Sequence, residues 1–182
     1  MNLAVAVSGL HGTGKSTYAQ KIAEEFELRH VSAGELFRQI AAERNLSLGE
    51  LSHEAEEKDE LDRLLDERTE KEFERGEVVV DGLLAGWMVR GRYVLKVYLS
   101  APYEVRVRRI ASRDGVPYDE AERTTALRES IERRRFKRFY GIDIDDLSIY
   151  DLVLNTGLLS IESNVEVIKS FVGGYVKSRG GK

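Results

Sequence analysis

The chain has 182 residues, of which 42% are hydrophobic and 33% charged, with a net charge of −4 and no cysteine. This length and composition are typical of one globular domain, and the lack of cysteine excludes disulfides and thiolate metal sites. The sequence has no signal-peptide pattern and no apolar run near the roughly 20 residues that span a bilayer. We therefore expect a cytoplasmic protein without a membrane partner.

Charge is distributed unevenly along the chain. Residues 50–77 contain 13 Asp and Glu against 5 Lys and Arg, whereas residues 104–138 contain 10 Arg and one Lys against 7 Asp and Glu. A basic segment within an acidic protein favours a small phosphate ligand, because the net negative charge repels a polyanion such as nucleic acid. We expect a monomer that binds small molecules and no nucleic acid.

Taken in chain order, the hydrophobic pattern alternates between strands and helices. Largely apolar runs predict buried strands at residues 3–7, 78–80, 93–99 and 152–154, and residues 28–31 are interpreted as a short second strand. Apolar residues at helical spacing predict helices after the first strand, after Ser32 to Glu35 (which resemble a capping box), after Pro102 and over Val165 to Tyr175. A long, largely polar helix is predicted from Pro117 to Phe139. This order predicts a three-layer α/β/α fold with a parallel, five-stranded sheet.

The chain is predicted to form a single domain, 1–182, with two helical additions. The core comprises residues 1–32, 76–112 and 141–177. Residues 33–75 and the arginine-rich residues 113–140 are interpreted as flaps over a site at the sheet edge.

A glycine-rich loop connects the first strand to the first helix. Residues 9–16 read Gly-Leu-His-Gly-Thr-Gly-Lys-Ser, the P-loop pattern that binds the phosphates of a nucleoside triphosphate. The glycines let backbone N–H groups surround an anion, and the helix directs its positive end at it. The residues predicted to bind ATP are Ser8, Gly9, Leu10, His11, Gly12, Thr13, Gly14, Lys15, Ser16 and Thr17.

Individual residues of the loop have separate expected roles. Lys15 is predicted to bridge the β- and γ-phosphates as a catalytic residue, and the Ser16 hydroxyl to bind Mg²⁺. Thr17 is predicted to contact the α-phosphate, whereas Thr13 either contacts phosphate or only caps the helix. His11 is interpreted as shaping the turn, and His30 and His53 as ordinary surface or cap residues.

Asp81 ends the third predicted strand and precedes a glycine. At the carboxyl end of a buried strand it would face the ligand, where it would bind Mg²⁺ through water or contact the substrate. The alternative is a turn aspartate.

Two sets of basic residues lie at helical spacing. Arg106, Arg109 and Arg113 share one predicted helix face, and so do Arg128, Glu132 and Arg135. Planar guanidinium groups suit phosphoryl transfer, because they bind phosphate oxygens in pairs; the alternative is a solvated face with intrahelical ion pairs. The residues predicted to be catalytic are Lys15, Arg109, Arg113 and Arg135.

Four segments make the chain resemble the archaeal cytidylate kinases, within the P-loop nucleoside monophosphate kinases, over residues 3 to about 170. They are residues 30–38 (His-Val-Ser-Ala-Gly-Glu-Leu-Phe-Arg), Asp-Gly at 81–82 with Leu-Ala-Gly-Trp-Met at 84–88, residues 101–106 (Ala-Pro-Tyr-Glu-Val-Arg) and residues 140–151 (Tyr-Gly-Ile-Asp-Ile-Asp-Asp-Leu-Ser-Ile-Tyr-Asp). The resemblance implies transfer of a phosphoryl group from ATP to CMP or dCMP. It also implies that Ser32 and Arg38 hold the acceptor nucleotide, that residues 33–75 form its binding segment, and that residues 113–140 form a lid.

The sequence departs from the family pattern at two places. Leu83 stands where an arginine is expected after Asp-Gly, which implies that one acceptor-phosphate contact is missing or replaced. Lys15-Ser16 is the ordinary P-loop ending, where several archaeal members have threonines.

Base selection is predicted to need a carboxylate paired with an arginine, because cytosine has a donor at N4 and acceptors at N3 and O2. The predicted pair is Glu132 with Arg128 or Arg135. The residues predicted to bind substrate are Ser32, Arg38, Asp81, Arg128, Glu132 and Arg135, and the predicted metal ligands are Ser16 and Asp81.

The sequence leaves other functions open. A kinase of the same fold could act on AMP, shikimate or dephospho-coenzyme A, and a regulatory NTPase switch would use the same loop. Against the switch, the chain has no Asn-Lys-x-Asp motif. The sequence does not choose between CMP and dCMP.

Overall fold

The structure is a computed structural model that describes residues 3–46, 50–51, 54–55, 59–89 and 94–180. The strands of this part are β1 (Ala4–Ser8), β2 (Arg29–Ser32), β3 (Val78–Asp81), β4 (Val94–Ser100) and β5 (Leu152–Asn155). Its helices include α1 (Lys15–Glu25), α2 (Ala33–Glu43), α3 (Glu60–Glu74), α4 (Ala85–Met88), α5 (Tyr103–Asp114), α6 (Tyr118–Tyr140) and α7 (Ile161–Gly180).

The strands form one parallel sheet in the order β2-β3-β1-β4-β5. This confirms the predicted α/β fold with a five-stranded parallel sheet. Val7 and Ser32 both lie opposite Asp81 in the ladders that flank β3. The carboxyl ends of these strands therefore meet at one edge, which is where ligands bind in open α/β sheets.

The central strand β1 is buried on both faces, and its alternating side chains enter two different cores. Val5 and Val7 pack in a cluster with residues of α1 and α7, including Ile22 and Ile168. Ala4 and Ala6 pack on the opposite face with residues of β3 and α4. Alternation places successive side chains on opposite faces, so a continuous apolar run is what a strand covered by helices on both sides requires.

All five strands end one residue after the apolar runs that predict them, at Ser8, Ser32, Asp81, Ser100 and Asn155. The sheet ladder continues there, since Ser32 pairs with Asp81 and Ser100 with Asn155. Tyr93, the predicted first residue of the fourth strand, lies outside the described residues.

The predicted capping box at α2 is wrong. Ser32 is the N-cap residue in an extended conformation, but its side chain makes no capping hydrogen bond. Its hydroxyl instead lies 3.5 Å from the Asp81 carboxylate. The Asp81 carboxylate is a charged acceptor, and the hydroxyl that donates to it points to the ligand edge.

The two helical additions have small apolar clusters. Ile40 of α2 and Leu61 of α3 lie in a cluster within residues 33–75, and Val107 of α5 and Ala121 of α6 lie in another. Near its end α6 also contacts the turn after β3, where Phe136 packs with Leu84. The start of α6 therefore packs on α5 and its end on the turn after β3. Among the described residues, no helix is both long and apolar enough to cross a membrane.

Candidate active site

The phosphate loop lies between β1 and α1, as the motif predicts. Gly9, Gly12 and Gly14 have positive φ values of 149°, 79° and 91°. A Cβ atom at Gly12 would lie 2.5 Å from the carbonyl oxygen of Arg106, so the loop packs directly against the start of α5. Only glycine combines this backbone conformation with so close an approach.

Lys15 is the first residue of α1, at the end of this loop. Its ammonium group donates to the carbonyl oxygen of Leu10 over 3.1 Å, which folds the side chain back along the loop. Burial lowers the pKa of Lys15 to about 8, while the nearby carboxylates of Asp81 and Glu132 oppose that change.

The other residues of the predicted ATP site divide between the loop surface and the interior. Ser16 and Thr17 are exposed in the first turn of α1. Ser8 is fully buried, and its hydroxyl accepts a hydrogen bond from the backbone N–H of Gly86 over 2.9 Å. The Thr13 hydroxyl donates to the carbonyl oxygen of Leu10 over 2.8 Å and does not cap α1. The capping interpretation of Thr13 is therefore wrong.

Asp81 receives side chains from two neighbouring elements. The Ser16 hydroxyl donates to its Oδ2 over 3.0 Å, so the two predicted metal ligands are adjacent. His30 Nε2 lies 2.8 Å from its Oδ1, and this hydrogen bond raises the pKa of His30. The interpretation of His30 as an ordinary surface residue is therefore wrong; His53 lies outside the described residues.

The arginines of α5 differ in what they contact. Arg106 is buried, donates to the carbonyl oxygen of His11 over 3.0 Å and forms an ion pair with Glu129. Arg109 donates to Thr156 Oγ1 over 3.0 Å. Arg109 also donates to the carbonyl oxygen of Gly12 over 3.4 Å, so Arg106 and Arg109 both contact the phosphate loop.

Arg113 is placed away from the loop contacts that Arg106 and Arg109 make. Its side chain is 66% exposed and pairs with the adjacent Asp114 over 2.7 Å. In this structure it is part of the solvated face that the sequence left open as an alternative.

The Arg128, Glu132 and Arg135 set is divided between two contacts on α6. Glu132 Oε2 lies 2.7 Å from His11 Nε2, and Glu132 Oε1 lies 3.1 Å from Arg128 Nε. Through His11, Glu132 contacts the phosphate loop. Burial raises the pKa of Glu132, but the hydrogen bond from His11 and the charge of Arg128 outweigh it and leave that pKa lowered. Burial lowers the pKa of His11, an effect that the hydrogen bond to Glu132 opposes.

Arg135 faces the acceptor segment. Its Nε lies 3.1 Å from Oδ2 of Asp62 on α3, and Asp62 is 5% exposed. One turn further along α3, Asp66 accepts a hydrogen bond from Tyr140 at the end of α6. Two carboxylates of α3 therefore meet the end of the arginine-rich helix.

The remaining acceptor-side residues lie near the surface. Arg38 is 58% exposed and lies 3.9 Å from Glu35. Leu83, which stands in place of the expected arginine, packs with the apolar cluster of Leu84 and Phe136. The position therefore supports packing of α6 on the turn after β3.

Sequence reasoning missed several residues of this site. Thr156 follows β5 and donates to the carbonyl oxygen of Thr13 over 3.0 Å, which ties the phosphate loop to the end of β5. Its place after the last strand was a usable signal, because all parallel strands end at the ligand edge. Asp62 and Asp66 could not be singled out from the sequence, because residues 50–77 contain 13 Asp and Glu.

Comparison with known proteins identifies relatives of this chain. The sequence profile of the cytidylate kinase-like family matches residues 4–158. A protein named cytidylate kinase from Staphylothermus marinus is 44% identical over 95% of this chain and 98% of its own length. Those from Pyrococcus horikoshii and Aeropyrum pernix are 45% and 47% identical, over 93% and 89% of this chain and 88% and 94% of their own lengths.

Solved structures agree with the fold. A shikimate kinase from Bacteroides thetaiotaomicron matches with a TM-score of 0.64 at 18% identity, covering 94% of this chain and 98% of that one. An uncharacterized protein from Eubacterium ventriosum matches with a TM-score of 0.72 at 15% identity over the same shares. At identities this low, the solved structures support the fold alone. The sequence profile and the relatives that match over most of their length show that the chain belongs to the cytidylate kinase-like family.

Proposed function

We propose that this chain is an ATP-dependent cytidylate kinase that converts CMP or dCMP to the diphosphate. The observation that carries the proposal is the contact of Ser16 with Asp81 at the carboxyl edge of the sheet, beside Lys15 of the phosphate loop, whose pKa is lowered by burial and raised in turn by the Asp81 carboxylate. The names and coverage of the relatives support cytidine as the acceptor base.

The donor side of the site is the phosphate loop. Lys15 stabilises negative charge on the β- and γ-phosphates, and the backbone N–H groups before α1 surround them. The first turn of α1 carries no acidic residue, so the positive end of the helix is not neutralised. Arg106 and Arg109 hold the loop in place through the carbonyl oxygens of His11 and Gly12.

Ser16 and Asp81 fit a magnesium ion. Mg²⁺ prefers hard oxygen ligands and retains several waters, so one hydroxyl and one carboxylate together with substrate phosphates suffice. The two oxygens lie 3.0 Å apart at the carboxyl end of β3. When bound, Mg²⁺ supplies charge neutralisation on the phosphate oxygens.

The reaction is a direct transfer. An oxygen of the CMP phosphate forms a bond to the γ-phosphorus, and the bond from that phosphorus to the β–γ bridging oxygen breaks. ADP departs with the electron pair, and CDP carries the transferred group. Such a transfer needs positioning and positive charge more than covalent chemistry from the protein.

The helical additions complete this assignment. Residues 33–75 bind the acceptor nucleotide, with Ser32 and Arg38 on its phosphate, and residues 113–140 form a lid. Closure of a lid excludes water, which would otherwise accept the phosphoryl group and turn the kinase into an ATPase.

A coupled ADP-release assay tests the function. We expect turnover with CMP and dCMP, and much slower ADP release with UMP, AMP or shikimate. A higher kcat/KM for AMP or shikimate than for CMP, or ADP release that does not depend on any acceptor, would overturn it.

A further inference from the structure

The phosphate loop and the arginine-rich helix α6 are connected at His11. Nε2 of its imidazole lies 2.7 Å from Oε2 of Glu132 on α6. Its carbonyl oxygen accepts a hydrogen bond from Arg106 over 3.0 Å, and Arg106 forms a buried ion pair with Glu129 of α6. Both the side chain and the backbone of this one loop residue are therefore tied to the same helix.

The contact between the two side chains is a hydrogen bond from the imidazole to an ionised carboxylate. Burial raises the pKa of Glu132, but the contact with His11 and the charge of Arg128 leave that pKa lowered. An ionised carboxylate only accepts, so Nε2 of His11 carries a proton and donates it. The side chains of His11 and Glu132 are only 18% and 11% exposed, so water competes little for this bond.

Glu132 passes this contact on to an arginine. Its other oxygen, Oε1, lies 3.1 Å from Nε of Arg128, whose side chain is 62% exposed. Burial is the main cause of the lowered pKa values of Lys15 and His11, and the charge of Arg128 lowers both further. The guanidinium is therefore close to the phosphate loop and still accessible to a ligand. Phosphoryl transfer needs positive charge at a fixed position, which an exposed arginine provides only when another group holds it.

The shape of the loop does not explain a histidine at this position. The left-handed backbone of the loop is formed by Gly9, Gly12 and Gly14, whereas His11 does not have a positive φ. Its backbone conformation is therefore open to any residue. What the histidine adds is an N–H donor that reaches α6.

We propose that His11 is a positioning residue for phosphoryl transfer, which holds Glu132 and through it directs the guanidinium of Arg128 to the phosphates bound in the loop. The proposal rests on the function proposed above. ATP binds to the backbone of the loop that carries His11, so an occupied loop also fixes α6. The donor nucleotide thereby prepares the lid helix before transfer.

Two substitutions of His11 form a matched pair. His11→Gln places an amide nitrogen near the position of Nε2, whereas His11→Asn places one near Nδ1, out of reach of Glu132. We expect His11→Asn to lower kcat on the order of 10- to 100-fold and to change the Kd of ATP by less than about 3-fold, because a displaced guanidinium loses transition-state contacts only. His11→Gln should keep kcat within about 3-fold of the parent. Equal losses in both variants, or a Kd that rises as much as kcat falls, would overturn the inference.

A double-mutant cycle tests whether His11 acts through Glu132. Adding His11→Asn to Glu132→Ala should lower kcat by less than about a further 3-fold, because the connection is already broken. Glu120→Ala is the matched control, since it removes an exposed carboxylate from the first turn of the same helix. In that background His11→Asn should show its full effect. Losses that multiply in the His11 and Glu132 double variant contradict the inference. If Glu132→Ala does not fold, the pair at His11 decides alone.

Hydrogen exchange of residues 128–140 separates this inference from the proposed function, because it needs no acceptor. It is measured in the parent, His11→Gln and His11→Asn, with and without a non-hydrolysable ATP analogue. We expect the analogue to protect this segment in the first two proteins and about 10-fold less in His11→Asn. Equal protection in all three overturns the inference, whatever the acceptor is. A parent that prefers AMP or shikimate, with protection still lost in His11→Asn, overturns the proposed function and supports the role of His11.

Discussion

The hydroxyl of Ser16 donates a hydrogen bond to Oδ2 of Asp81 over 3.0 Å, and this contact joins the first turn of α1 to the end of β3. The two residues are separated by 65 positions in sequence; Ser16 lies on the helix after the central strand β1, and Asp81 ends the neighbouring strand β3. A hydroxyl and a carboxylate so placed unite the donor loop with the strand edge that faces the acceptor.

Asp81→Asn should raise the Mg²⁺ concentration needed for half-maximal activity by about 10- to 100-fold, because the neutral amide is a weaker ligand for a hard cation. The hydroxyl of Ser16 would keep a partner, so the fold should be unaffected. A magnesium titration of kcat measures the effect, with Asp59→Asn as the control. An unchanged magnesium requirement would exclude Asp81 from the metal site.

Lys15→Ala should lower kcat by about 10²- to 10³-fold, because a charge that stabilises the transferring phosphoryl group is lost. The thermal midpoint should stay the same or rise, since burial disfavours the charged form of Lys15 in the folded protein. Steady-state kinetics and thermal unfolding test both statements. A variant that keeps most of its activity would contradict the assignment of the phosphate loop.

Patterns that depend on a single element were predictable from the sequence. The phosphate loop follows from glycine spacing, and Val78 to Val80 read as a strand because a doubly covered strand must be apolar on both faces. Asp81 could be placed at the ligand edge for the same reason, since the polar residue that ends such a strand has only the edge to face.

Contacts between elements distant in sequence were not predictable. His30 contacts Asp81 only because β2 is the neighbour of β3, and the sequence does not state strand order. Helical spacing correctly grouped Arg128, Glu132 and Arg135 on one helix, but it could not show that Glu132 contacts His11 while Arg135 contacts Asp62. Those partners are set by how α6 crosses both the loop and α3.

Glu129→Ala should destabilise the fold by about 3 kcal/mol, because it leaves the Arg106 guanidinium buried without its carboxylate. For a chain of this size that corresponds to roughly 6–12 °C in the thermal midpoint. Asp114→Ala, which removes the partner of the exposed Arg113, is the control and should shift the midpoint little. Equal shifts in the two variants would show that the buried pair contributes no more than a surface one.

ATP binding at pH 9 should take up protons through Lys15. In the free protein the pKa of Lys15 is lowered to about 8 by burial, so a large share of the side chain is neutral at pH 9. Phosphates beside the amine favour its charged form and raise its pKa, so a proton is taken up on binding and affinity falls as pH rises above 8. Calorimetry in buffers of different ionisation enthalpy measures the uptake. Proton uptake of the same size in Lys15→Ala would assign it to another group.

Binding of both nucleotides should close residues 33–75 and 113–140 over the sheet edge, while either nucleotide alone should do so less. The reason is chemical, because the γ-phosphoryl group reacts with water unless water is excluded when the acceptor is in place. Hydrogen exchange with a non-hydrolysable ATP analogue, with CMP and with both ligands measures this, and the largest protection should appear in the two segments with both ligands. The core helix α7 serves as the internal reference, since Ile168 and Val172 are fully buried and lie away from the ligand edge. Protection with both ligands that only equals the sum of the separate effects would show that the two sites fill without closing.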